Sequence, residues 1–90
     1  MIFKIERRSI VSTSIEIHDS MIDKIINDLR DHDYLDEIGE FDTMDELMAI
    51  FNDDQTYASL IFEVIINSPG YPKPNENFGE EEFDMFTTEN

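Results

Sequence analysis

Carboxylates are the reactive groups this chain holds in quantity. Its 90 residues include 22 Asp and Glu, two His and no Cys. The missing cysteines exclude disulfides, thiolate metal sites and cysteine nucleophiles, and fit a reducing compartment. Paired carboxylates can act as general acid and base, but they need a shaped cleft, and a chain of this size has little room for one beside its core. His18 and His32 bracket a predicted helix, too far apart in sequence to share a helical turn. They read as surface or helix-end residues. No G-x-S-x-G, glycine-rich phosphate loop or H-E-x-x-H occurs, and three glycines are too few for a nucleotide cradle. The expectation is a protein that is not an enzyme.

Calcium is the next chemistry that clustered acids could serve. Asp31-His32-Asp33 opens like an EF-hand loop, but Leu35 takes the fifth position, Asp36 takes the sixth where the turn needs Gly, and Asp42 stands where the bidentate Glu belongs. No metal site and no cofactor are expected, beyond diffuse condensation of divalent cations.

What distinguishes the acids is their distribution. Residues 1–30 hold five acids and five bases, Lys4, Arg7, Arg8, Lys24 and Arg30. Residues 31–90 hold seventeen acids and one base, Lys73, so the entire net charge of −16 lies there. The densest ordered stretch carries Asp31, Asp33, Asp36, Glu37, Glu40, Asp42, Asp45, Glu46, Asp53 and Asp54 without a single Lys or Arg. Such a block repels itself and weakens a compact state. Codon drift is a poor explanation: the chain is rich in Ile, Phe and Asn, and the same A/T bias would raise Lys, which occurs three times. Adaptation to high salt would spread acids over the whole surface, whereas residues 1–30 are balanced.

The elements that position these acids follow from periodicity and capping. Ile2–Glu6 and Ile10–Ile17 have strand character, with Val11, Thr13, Ile15 and Ile17 alternating onto one face and a turn expected at Arg7–Ser9. A helix is predicted over 20–31, started by Ser20 and Asp23 at capping-box spacing or by Asp19, with Ile22, Ile25, Ile26 and Leu29 on one side. Residues 32–42 read as an acidic connector whose Tyr34, Leu35, Ile38 and Phe41 tuck into the core, with Gly39 permitting a turn. Thr43–Glu46 is a capping box for a second helix, with Met44, Leu47, Met48 and Phe51 on one stripe and Asp42, Asp45, Glu46 and Asp53 roughly opposite. Residues 55–67 fit either a mostly buried helix capped by Asp53 or Asp54 or a strand; the helix is favoured. Ser68-Pro69-Gly70 stops that element.

The expected architecture is α+β: an N-terminal β-hairpin packed with two or three α-helices over 1–68, then a Pro-containing, mobile acidic tail over 69–90. The core is expected from Phe3, Ile5, Ile15, Ile22, Ile25, Ile26, Leu29, Leu47, Phe51, Leu60, Ile61 and Val64. No apolar run reaches the length of a membrane span and no signal-peptide pattern opens the chain, so a cytoplasmic protein is expected, in the host cytoplasm if the source is viral.

Binding nucleic acid directly requires clustered Lys and Arg. Here Lys4, Arg7 and Arg8 are far outweighed, and DNA should be repelled. The same electrostatics reversed gives a specific expectation. Duplex DNA carries one negative charge per roughly 1.7 Å of axis, and side chains at i,i+3 and i,i+4 of a helix stand about 5–6 Å apart. Rows of Asp and Glu on a rigid scaffold can therefore present phosphate-like spacing to a basic nucleic-acid-binding protein. A two-fold homodimer would lengthen such a surface.

A short, cysteine-free, single-domain chain with a pI near 4.1, the acids of 31–54 and an acidic end at 80–84 resembles the small phage-encoded DNA-mimic inhibitors of the antirestriction and anti-CRISPR kinds. The resemblance lies in composition and layout, and it implies inhibition by occupation of an enzyme's nucleic-acid channel. An alternative rests on Glu80, Glu81, Glu82, Phe83, Asp84 and Phe86. Acids mixed with aromatic anchors can fold onto an apolar pocket rimmed by Arg and Lys, as in a non-catalytic adaptor. This stretch is similar in style to the acidic tails of single-stranded-DNA-binding proteins, although Thr87–Asn90 follow where those tails end.

Overall fold

The computed structural model describes residues 2–89. Strands β1 (Ile2–Arg8) and β2 (Val11–His18) form the antiparallel hairpin in the register Phe3–Ile17, Ile5–Ile15 and Arg7–Thr13. Side chains alternate across a strand, so Phe3, Ile5, Thr13, Ile15 and Ile17 are buried beneath the sheet. Lys4, Glu6, Ser14 and Glu16 take the opposite, polar face. The turn lies at Ser9–Ile10, one step later than expected. It forms without Asn-Gly because two serines close it. Ser12 Oγ accepts the Ser9 N–H and donates to the Ser9 carbonyl, both at 3.3 Å, and the Ser9 hydroxyl donates to the Val11 carbonyl at 2.8 Å.

A single turn of 3-10 helix (Asp19–Met21) leads into α1 (Ile22–Asp31). The predicted Ser20–Asp23 capping box does not form; no side chain caps the start of either segment. The end of α1 is a Schellman motif: the Tyr34 N–H donates to the Leu29 carbonyl and the Asp33 N–H to the Arg30 carbonyl, both at 3.0 Å, with Asp33 at φ 60°. The connector folds as expected, with Leu35 and Phe41 buried and Tyr34 and Ile38 packed at the core's edge. It adds a short helix, α2 (Leu35–Ile38), that ends at Gly39 with φ 97°.

Helix α3 (Met44–Asp53) starts at the expected capping box. The Glu46 N–H donates to Thr43 Oγ1 at 3.2 Å, and the Thr43 hydroxyl reaches Glu46 Oε1 at 3.2 Å. Residues 55–67 are a helix, α4 (Gln55–Asn67), and Asp54 caps it by accepting the Thr56 and Tyr57 N–H groups at 2.9 and 3.2 Å. Ala58, Ile61, Phe62, Val64 and Ile65 make α4 the most apolar helix, buried against its neighbours.

The end of the chain departs from expectation. Residues 69–90 were predicted as a mobile tail outside a domain of 1–68. Instead β3 (Asn75–Phe78) pairs with β2, and β4 (Met85–Glu89) pairs with β1. The sheet runs β3-β2-β1-β4, antiparallel throughout. Asn90, at the end of the predicted tail, lies outside the described residues. A lone hairpin is marginal in water and offers too narrow a face for the helices to cover; the added strands widen it. Phe86 is only 7% exposed and packs against Phe51 and Phe62 at 6.1 and 5.6 Å between ring centroids. The Gln55 side chain holds β4 at both polar groups of Phe86: Oε1 accepts the Phe86 N–H at 2.8 Å and Nε2 donates to its carbonyl at 3.1 Å.

The architecture is thus α+β, a four-stranded sheet with four helices on one face. The core matches the sequence reading at Phe3, Ile5, Ile15, Ile25, Leu29, Leu47, Phe51, Ile61 and Val64. Ile22, Ile26 and Leu60 are half-buried instead, while Ile17, Phe62, Ile65 and Phe86 join the core. Beyond α4, Tyr71 fastens the 68–74 segment to α1. Its hydroxyl donates to Asp28 at 2.7 Å, and Lys24 pairs with the same carboxylate at 2.9 Å while lying 4.4 Å from the Tyr71 ring centroid. Burial works to raise the Asp28 carboxyl, but these two donors outweigh it and hold the group below its ordinary value. Burial, aided by the Asp28 carboxylate, pushes the Tyr71 hydroxyl up.

Candidate acidic interface

All ten acids of 31–54 sit on the helical side of the molecule or its connecting loops. Nine are exposed and Asp54 is half-buried. Three have local work. Asp33 is the left-handed residue that ends α1, Glu46 accepts the hydroxyl of the α3 cap residue Thr43, and Asp54 caps α4. The other seven, Asp31, Asp36, Glu37, Glu40, Asp42, Asp45 and Asp53, make no side-chain hydrogen bond within the described residues. None of the ten is in an ion pair there.

The bases of the hairpin lie elsewhere, whereas Arg30 of α1 is exposed beside Glu40 and Asp42 and donates to Asn27 Oδ1 at 3.3 Å. Lys4 and Arg8 are on the polar face of the sheet, paired with Glu6, Glu89 and Glu81 at 3.1–4.0 Å. Lys24 is engaged with Asp28. Arg7 is turned beneath the sheet, where its guanidinium stands 5.7 Å from the Phe62 ring centroid and donates to Thr13 Oγ1 at 3.4 Å. The sheet therefore withdraws Lys4, Arg7 and Arg8 from the helical side, and of the bases in residues 1–30 only Lys24, engaged with Asp28, and Arg30 remain there.

The acids do not form one uniform field. Glu40 and Asp42 share an open groove of about 410 Å³ with Asp23 and Arg30 of α1. Asp42 and Asp45 share the next, about 790 Å³, with Asp19 and Phe3. Asp45 continues into a third, about 210 Å³, beside Asn52 and Glu89. Asp42 and Asp45 are the links, so Glu40, Asp42 and Asp45 join Asp19 and Asp23 along connected grooves in which Arg30 is the one base among the lining residues. Sequence reading missed Asp19 and Asp23 because the segment that holds them has no net charge. Asp31, Asp33, Asp36 and Glu37 instead ring the corner between α1 and α2. Asp53 and Asp54 stand at the far end of α3, about 12 Å along its axis from Asp45 at 1.5 Å per residue.

The tail residues separate. Glu81 binds Arg8 at 3.1 Å. Phe86 is core and is unavailable as a docking anchor, which corrects its assignment as a contact residue. Glu80, Glu82, Phe83 and Asp84 are exposed. No group of three or more His, Asp or Glu among the described residues is placed to hold a metal ion. Among the same residues no helix is long and apolar enough to cross a membrane. No family model, no curated protein and no solved structure matches this chain.

Proposed function

We propose that the chain is a non-catalytic DNA mimic that occupies the basic cleft of a nucleic-acid-processing protein, such as a restriction or CRISPR effector, a nuclease or a polymerase, and blocks its substrate. The observation that carries this reading is the set of ten carboxylates on the helical side, six in helices and four in the loops between them, without an ion pair among the described residues, while the bases of the hairpin are held on or under the sheet. Charges fixed on a folded scaffold lose little entropy on binding, and a low-dielectric cleft lined by the opposite sign focuses the field between them. The count is also of the right order. The molecule is 33 Å long. A duplex of that length carries about 19 phosphates at one per roughly 1.7 Å of axis, about half of them facing one side. Such a protein works where its target works, in the cytoplasm, and binds neither nucleic acid nor membrane directly.

The test is charge reversal confined to exposed acids that make no side-chain hydrogen bond or ion pair within the described residues. Asp36→Lys, Glu37→Lys, Asp42→Lys and Asp45→Lys together should abolish inhibition of the target's nucleic-acid binding while the circular dichroism spectrum is unchanged. Equal inhibition by the reversed protein would defeat the proposal. Glu46 and Asp54 stay unaltered, since the first accepts the Thr43 hydroxyl and the second caps α4.

A further inference from the structure

The apolar side chains left outside the core gather at one end of the molecule. Six large hydrophobic residues are exposed among those described: Ile2, Ile10, Val11, Phe78, Phe83 and Met85. All but Ile2 belong to the end of the sheet where β1 turns into β2. Val11 and Phe78 are register partners, which places their Cβ atoms about 4.5–5.5 Å apart. Met85 pairs with Arg8, directly before the turn, on the face of the sheet opposite to Val11 and Phe78. Ile10 is in the turn, and its carbonyl accepts the Gly79 N–H at 2.9 Å. Phe83 lies on the 79–84 segment that passes this turn on its way from β3 to β4, held by the Arg8–Glu81 pair and by Gly79, whose missing Cβ leaves room for the Ser9 carbonyl.

Phe78 is 94% exposed and Phe83 82%. Each ring at that exposure offers roughly 150–200 Å² of apolar surface to a partner. Glu76, Glu80, Glu82 and Asp84 stand among them, exposed and in no ion pair within the described residues.

We infer that this end of the sheet is a docking surface for a protein partner that presents apolar side chains flanked by Lys or Arg. Charge chooses the occupant. A second copy of the chain would bring two acidic rims and two bodies of charge −16 together, and an anionic lipid surface would be repelled in the same way. A basic, apolar surface satisfies both the rings and the rim. The surface is built from residues 10–11 and 76–85, apart from the carboxylates of 31–54, and stands independently of the mimicry reading.

Two synthetic peptides of equal charge test this against the isotopically labelled full chain by NMR: one alternating Arg with Leu, the other Arg with Gly. The Arg–Leu peptide should shift the amides of Ile10, Val11, Phe78 and Phe83 and bind about tenfold more tightly than the Arg–Gly peptide. Phe78→Ser with Phe83→Ser should erase that tenfold preference. Phe83→Ser alone, in a loop, should reduce it should the double variant unfold. Equal binding of the two peptides, or an undiminished preference in the variants, overturns the inference. So does a wild-type dimer in sedimentation that the substitutions dissociate, since the surface would then belong to a second copy.

Discussion

Asp53 and Asp54 are adjacent carboxylates for which the structure demands opposite responses to the same substitution. Asp53 is the last residue of α3, where the helix dipole is negative, and the final turn of α3 has no basic residue. A charge at a helix end contributes typically ~0.3–1 kcal/mol at low salt, and the sign here is unfavourable. Asp53→Lys removes the unfavourable charge and installs a favourable one, a gain of about 1 kcal/mol. For a domain of this size that raises the melting temperature by about 4–8 °C. Asp54 instead accepts two N–H groups at the start of α4, so Asp54→Lys removes a cap at a cost of about 1 kcal/mol and lowers the melting temperature by a similar amount. Thermal melts followed by circular dichroism near 10 mM and near 200 mM salt check both. The Debye length falls from about 30 Å to under 10 Å across that range, so the Asp53→Lys gain should shrink with salt while the Asp54→Lys loss, made of hydrogen bonds, persists. The wild-type melting temperature should itself rise with salt as self-repulsion is screened. A lower melting temperature for Asp53→Lys, or a wild type destabilised by salt, refutes the picture of uncompensated acids.

Three further substitutions probe the scaffold. Gln55→Ala deletes both bonds to Phe86 and should cost about 1–3 kcal/mol, with the amides of β4 losing hydrogen-exchange protection before those of β2. Gly79→Ala would drive a methyl group into the Ser9 carbonyl and Ser12 hydroxyl; displacing that loop should cost about 1–3 kcal/mol, read as a lower urea midpoint. Tyr71→Phe removes a donor that holds the Asp28 carboxyl below its ordinary value near 3.8. The stabilisation from Asp28 is present above that unfolded value and is lost as pH falls through the lower folded one. In the variant, NMR titration should therefore find Asp28 protonating at higher pH than in the wild type.

What was legible in the sequence was local. The Thr43–Glu46 capping box, the helix begun by Asp54 and the alternation of Val11 through Ile17 each need only a few neighbouring residues, and each is found in place or one step away. The tail was not legible because its structure is almost wholly non-local. β4 pairs with a strand some eighty residues earlier, and Asn75–Phe78 is exposed at every position, so it carries no burial alternation to read. Phe83 and Phe86 look alike in sequence; only the register of Phe86 opposite Arg7 makes one core and the other surface. Truncation after Pro74, a natural way to ask whether the tail binds, would strip both edge strands and report on folding instead. The acidic site was half legible. The run of 31–54 stands out by its charge, but Asp19 and Asp23 join it only through the grooves they share with Glu40, Asp42 and Asp45, which linear charge counting does not contain.

DNA mimicry requires that a basic cleft accept these carboxylates in place of a phosphate backbone. Its most direct measurement is capture from native host lysate on the immobilised full chain, followed by elution with duplex DNA at constant ionic strength. A basic nucleic-acid-processing protein should be retained, be released by the duplex, and fail to bind the chain carrying Lys at 36, 37, 42 and 45. A retained protein that DNA fails to displace, or that the reversed chain holds equally well, would contradict it.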